Sequence, residues 1–213
     1  MTSARRSATW LLLGASLILA LSLGIRHGFG LFLPPMSSEF GWGREVFAFA
    51  IALQNLIWGL TQPFTGALAD RFGARRTVIV GGVLYAIGLL CMGLADSPLS
   101  LSLSAGVLIG IGLSGTSFSV ILGAVGRAVP TEKRSMAMGI AAAAGSFGQF
   151  AMLPGTLGLL SWLGWSVALM ALGLLVALIV PLAAMLKDTP LPLTGQEQSL
   201  GEALREACSH SGF

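Results

Sequence analysis

Residues 66–77 run "GALADRFGARRT", and Asp70, Arg71, Arg75 and Arg76 place four charges within this short stretch. On either side the chain is uncharged over long distances, through the 24 residues 46–69 and the 19 residues 77–95. A bilayer core about 30 Å thick needs roughly 20 apolar residues of helix to cross it. Two uncharged runs of that length, joined by a knot of charge, predict two membrane-spanning helices with a polar turn between them.

Composition agrees with that reading. Charged residues make up 10% of the 213, where a soluble domain carries roughly 25%. Hydrophobic residues make up 54%, and 29 glycines supply the small surfaces on which membrane helices approach one another. The class implied is an integral membrane protein. A net charge of +3 and a pI near 9.4 do not indicate a nucleic-acid partner, because the basic residues lie in short clusters between apolar runs rather than along one solvated face. Of the two cysteines, Cys91 falls in an apolar run and Cys208 in the polar tail; on opposite sides of a membrane they would form no disulfide. The amino terminus imitates a signal peptide, but its apolar pattern continues over 24 residues, 10–33, longer than a cleaved signal.

Six segments are long enough to span: about 10–33, 46–69, 77–95, 99–125, 136–160 and 165–186. The last two share one uncharged stretch, and "SWLGW" at 161–165 is the expected break, with Gly164 for the turn and tryptophans at the interface. In lipid each backbone amide must bond internally, so every span is expected to be α-helical. With the amino terminus inside, ten lysines and arginines fall inside (Arg5, Arg6, Arg71, Arg75, Arg76, Arg127, Lys133, Arg134, Lys187, Arg205) and two outside (Arg26, Arg44). The positive-inside rule then predicts cytoplasmic termini. Residues 1–186 form the expected membrane domain. Residues 187–213 are the expected cytoplasmic linker, with a short amphipathic helix carrying Leu200, Leu204 and Ala207 on one side.

The charged turn resembles the signature of the major facilitator superfamily of transporters. That signature runs glycine, any, leucine, any, aspartate, arginine, any, glycine, then two basic residues; here it is Gly66, Leu68, Asp70, Arg71, Gly73, Ala74 and Arg75. Only Ala74 departs from it, and Arg76 follows. "FLPPMSSEFGWGRE" after the first span and "EKRSMAMGIAAAAGSFGQF" opening the fifth are similar to the oxalate/formate and monocarboxylate branch. The resemblance implies an all-α fold of six transmembrane helices as two inverted three-helix repeats, half of a twelve-helix transporter. It implies a charge network of Asp70, Arg71, Arg75 and Arg76 latching the cytoplasmic helix ends, with Arg127 as a further partner of Asp70. Gly66 is expected to remove bulk where the second span passes a neighbour, and Gly73 to permit the tight turn. The missing half would be a carboxy-terminal segment or a second copy. The alternatives are a truncated fragment inactive alone and a non-transporting partner or sensor module.

Arg26 is the other informative charge. It lies eight residues before Pro34, about 12 Å below the outer end of a helix rising 1.5 Å per residue. One reading is a cationic contact for an anionic substrate, as relatives in the monocarboxylate branch use a basic residue in this helix; the other is a helix that ends early, with Arg26 snorkelling to the interface. His27 either relays a coupling proton or is structural. In the second span Gln54, Trp58 and Gln62 recur every four residues, with Asn55 alongside. They line a water-filled cavity or bond between packed helices. Gln149 in the fifth span is a similar candidate. The small residues Ser102, Gly106, Gly110 and Ser114, and Ala137, Ala141 and Gly145, read as packing ridges. "GIGLSG" at 110–115 matches a dinucleotide fingerprint but lacks the strand–helix context that chemistry needs. No nucleophile–base pair or metal-ligand spacing appears, so neither an enzyme nor a cofactor is expected. The activity expected is transport of a small solute, an organic anion, by alternating access in the plasma (inner) membrane.

Overall fold

The computed structural model describes residues 3–186, with side chains from Thr9 onward; the polar tail, Cys208 and the amphipathic segment at 200–207 lie outside the described residues. Every element among the described residues is helical: α1 (Ser3–His27), a 3-10 turn (Gly28–Phe32), α2 (Leu33–Phe40), α3 (Arg44–Phe72), α4 (Ala74–Gly93), α5 (Pro98–Leu101), a π-helical stretch (Ser102–Leu108), α6 (Ile109–Thr116), α7 (Phe118–Ala128), α8 (Thr131–Ala177) and α9 (Ile179–Ala183). Four stretches are long and apolar enough to cross a membrane: Thr9–Phe40, Ala74–Gly93, Pro98–Ala128 and Thr131–Ala183. The protein is thus a multi-pass integral membrane protein. The 29-residue α3 is also long enough, but Gln54, Asn55 and Gln62 lower its hydropathy.

The fourth stretch holds 53 residues, about 80 Å of helix, and could not run straight through a bilayer. It turns back at Gly164, whose φ of 75° and ψ of 169° only glycine adopts readily. Contacts trace the reversal. Gly148 lies against Ala20 and Thr156 against Gly28 on the way out; Trp165 meets Glu39; Met185 then lies against Gly14 on the way back. The turn is clasped by Trp165 Nε1, which donates to Glu39 Oε2 at 2.5 Å, by Phe40 packed edge-on to Trp165, and by Ser166 Oγ donating to the Gly93 carbonyl.

Two spans depart from the single straight helices expected. The first does not end at Pro34: the helical path continues to Phe40, because prolines 34 and 35 occupy the opening turn of α2, where a missing N–H costs nothing. The span at 99–125 is broken by the π-helical stretch and again at Ser117, whose φ/ψ of −94°/−174° are extended. Hydroxyls bonded to nearby carbonyls accompany both features, Ser104 to Ser100 and Ser117 to Ser114. α3 is continuous but contains Pro63.

Lipid is as apolar as leucine, so helix association depends on close packing and interhelical hydrogen bonds. A Cβ built on Gly24 would sit 2.6 Å from the Gly148 carbonyl, and one on Gly112 would sit 2.6 Å from the Tyr85 amide. The expected ridges serve this purpose: a Cβ on Gly106 meets Leu53, one on Gly110 meets Ile57, and one on Gly145 meets Leu23. At the centre, buried Ser22 and Thr116 share a hydrogen bond of 2.8 Å, and Tyr85 Oη donates to the Ser22 carbonyl. That node ties α1, α4 and α6 together.

The neighbour expected beside Gly66 is not found among the described residues: a Cβ there would meet nothing within 4 Å. Gly73 has φ 95° and caps α3, its amide donating to the Ala69 carbonyl; this is the tight turn into α4.

Candidate functional site

α3 carries two charged or polar constellations, one near its middle and one at its carboxy-terminal end. Near the middle, Arg26 of α1 lies against α3. Its guanidinium donates to Asn55 Oδ1 through Nη2 and sits 4.7 Å from the centroid of the Trp58 ring. Positions 55 and 58 share a helix face, which is why one arginine meets both. Asn55 is fixed in turn by donating to the Ile51 carbonyl at 3.0 Å. The cradle is neutral: among the described residues no carboxylate pairs with Arg26. Arg26 Nε and Trp58 Nε1 are buried donors with no acceptor among the described residues. A cation with an unpaired Nε and an unpaired indole N–H beside it, inside a membrane span, suits an acceptor-rich anion.

The other expected members of this group are placed differently. Gln54, next to Asn55 in sequence, is 1% exposed and donates to the Ala105 carbonyl at 2.6 Å; it bonds α3 to the π-helical stretch and not to Arg26. His27 is exposed, and Gln149 is half-buried on α8. Neither bonds to Arg26, Asn55 or Trp58 among the described residues. The reading from sequence missed Thr156, whose Oγ1 is the third buried polar atom without a partner among the described residues and which packs against Gly28 at the α1–α8 seam. A threonine in an apolar helix gives no signal of its own.

About 22 Å further along α3, at 1.5 Å per residue, Arg127 Nη1 lies 2.7 Å from Asp70 Oδ1. This pair ties the end of α3 to the end of α7 at the turn. Arg71 lies over the Phe72 ring at 5.3 Å, and Arg75 and Arg76 are exposed on the first turn of α4.

A family model for the Major Facilitator Superfamily matches residues 12–211. This chain belongs to the major facilitator superfamily. Its relatives are transporters rather than enzymes. It is 34% identical over 175 residues to monocarboxylate transporter 11 of Mus musculus, covering 82% of this chain and 38% of that protein. It is 27% identical over 199 residues to the oxalate:formate antiporter of Oxalobacter formigenes, covering 90% of this chain and 47% of that one. Among solved structures, a crystal structure of the peptide transporter POT in complex with alafosfalin shares the fold at a TM-score of 0.72 and 16% identity, with 98% of this chain and 47% of that chain covered. This superfamily member thus spans about half the length or less of the curated relatives named here.

Proposed function

We propose that the chain is one half of a secondary transporter that moves a small organic anion, a mono- or dicarboxylate, by alternating access. The observation that carries this reading is Arg26, a cation within a membrane span held by the neutral Asn55 and Trp58. With no counterion among the described residues, it is suited to a carboxylate, and relatives named as monocarboxylate transporter and oxalate:formate antiporter support that class. His27 and Gln149 are the further candidates to face the substrate, His27 as a carrier of a coupling proton. Gln54 contributes indirectly, by holding α3 in place. The return of the chain at Gly164 supports a count of six spans, which would form two inverted three-helix repeats with both termini cytoplasmic in the plasma membrane. A further segment or a second copy would supply the other half. The partial coverage of the relatives supports a second reading, in which this chain is inactive until completed or serves as a non-transporting partner or sensor.

The test is competition in a full-length transporter that carries this half. Uptake of a labelled carboxylate should be inhibited by other small carboxylates and not by their neutral amides. Equal inhibition by acid and amide would overturn the anion reading.

The Asp70 turn is proposed as the gate. Asp70 and Arg127 have side-chain exposures of 49% and 23%, and such ion pairs contribute only about 0–1 kcal/mol to stability. A contact that weak can open and close within a transport cycle. Asp70→Asn is therefore expected to leave the thermal midpoint in detergent nearly unchanged while slowing uptake severalfold. The exchange Asp70→Arg with Arg127→Asp should recover part of the rate. Unchanged uptake in Asp70→Asn would remove the gate.

A further inference from the structure

A groove of about 350 Å³ runs between α3, α4 and α6, on the flank of the bundle away from Arg26 and close to the charged turn. Its walls include Leu68, Phe72, Val80 and Leu84, and Arg76 stands at its end. The groove offers no free hydrogen-bonding group inside. Thr65 Oγ1 donates to carbonyls of its own helix and lies 3.2 Å from the Ser114 carbonyl, and Thr77 Oγ1 donates to the Gly73 carbonyl. A water-soluble polar ligand would find nothing to bond there.

The charge at its end is unbalanced. Arg76 is exposed and has no acidic partner among the described residues. Asp70, the acid of the same turn, is engaged by Arg127. Arg71 adds a second cation over Phe72, which is itself a wall of the groove. From Thr77 to Leu84 the groove follows α4 for about 10 Å, a third of a hydrocarbon core of about 30 Å. Val80 and Leu68 are well exposed along it, so in a membrane protein the groove opens onto lipid.

An apolar slot parallel to the helices, ending in cations at the polar boundary, matches one kind of molecule. We propose that the groove holds an acyl chain of an anionic phospholipid whose phosphate is contacted by Arg76. This site is separate from the Arg26 cradle and independent of what the protein transports.

The test uses the full chain, purified in detergent with equal amounts of phosphatidylglycerol and phosphatidylethanolamine, and reads retained lipid by native mass spectrometry. Phosphatidylglycerol should be retained about fivefold over phosphatidylethanolamine, the preference one basic residue near an anionic headgroup supplies. Arg76→Gln should bring that ratio close to one. Val80→Trp, or Leu68→Trp if that variant folds poorly, should fill the slot and lower retention of both lipids. Glycerol phosphate, a headgroup without chains, should not displace the lipid. The proposal is overturned if Arg76→Gln keeps the preference, if the slot-filling variants retain lipid as the parent does, or if glycerol phosphate competes as well as lipid. It is also overturned if the adduct appears only on a dimer, which would make the groove an interface between copies.

Discussion

Arg26→Gln should lower uptake of a carboxylate at sub-saturating concentration roughly 10- to 100-fold, in a full-length transporter carrying this half. Hydrogen bonds to a charged group contribute about 1.5–3 kcal/mol, and each 1.4 kcal/mol is tenfold. Glutamine keeps much of the side chain's length and can still bond to Asn55, so the change removes charge with little loss of shape. Arg26 is only half-buried, and among the described residues its hydrogen-bond and ring partners both lie on α3, so abundance in the membrane should hold. Arg26→Lys separates charge from geometry. It retains a cation but loses the planar fork that reaches Asn55 while lying over Trp58, and should fall between the parent and the glutamine variant. Uptake at the parental rate in Arg26→Gln would leave the carboxylate reading without its main support.

The second large effect concerns folding. Gly148→Leu should abolish recovery of monodisperse protein, whereas Gly158→Leu, on the same outgoing length of α8, should be recovered like the parent. A Cβ on Gly148 would fall into the backbone of Ala20, while one on Gly158 meets nothing within 4 Å. Extra atoms in a packed interior cost about 1–3 kcal/mol when side chains can yield. Here the obstacle is main chain, so α1 and α8 would have to separate along their whole seam. The seam also includes Gly24, whose own Cβ would meet the Gly148 carbonyl, and no neighbouring side chain can move to make room. Size-exclusion profiles of the two variants give the comparison directly.

Much of this architecture was legible in the chain because lipid imposes a strict rule. Uncharged runs of membrane length had to be helices, and the charges between them marked the turns, among them Gly73 and the Asp70 cluster. Gly164 was visible as a break for the same reason, since the apolar stretch around it was too long to cross once. Phase was not legible. Gln54 and Asn55 are adjacent and chemically alike, yet consecutive helical positions point about 100° apart, and only the neighbouring helices decide which one meets Arg26 and which one meets Ala105. Gly66 shows the same limit: a glycine in a membrane helix usually marks a close approach, and the side it faces meets no helix among the described residues. The π-helical stretch and the break at Ser117 depend on where hydroxyls find carbonyls, which spacing does not reveal.

Pro63 has a mechanical consequence for α3, the helix that bears both Asn55 and Asp70. Proline offers no amide to the carbonyl four residues earlier, and its ring pushes that carbonyl aside; the residue there is Gly59, with open space beside it. The ladder of α3 therefore lacks a rung between Asn55 and Asp70, and a helix missing a rung is softer in bending. Bending at Pro63 would change the angle between the length that bears Asn55 and the length that bears Asp70 without requiring either to repack, so α3 would act as a jointed arm and not as a rigid rod.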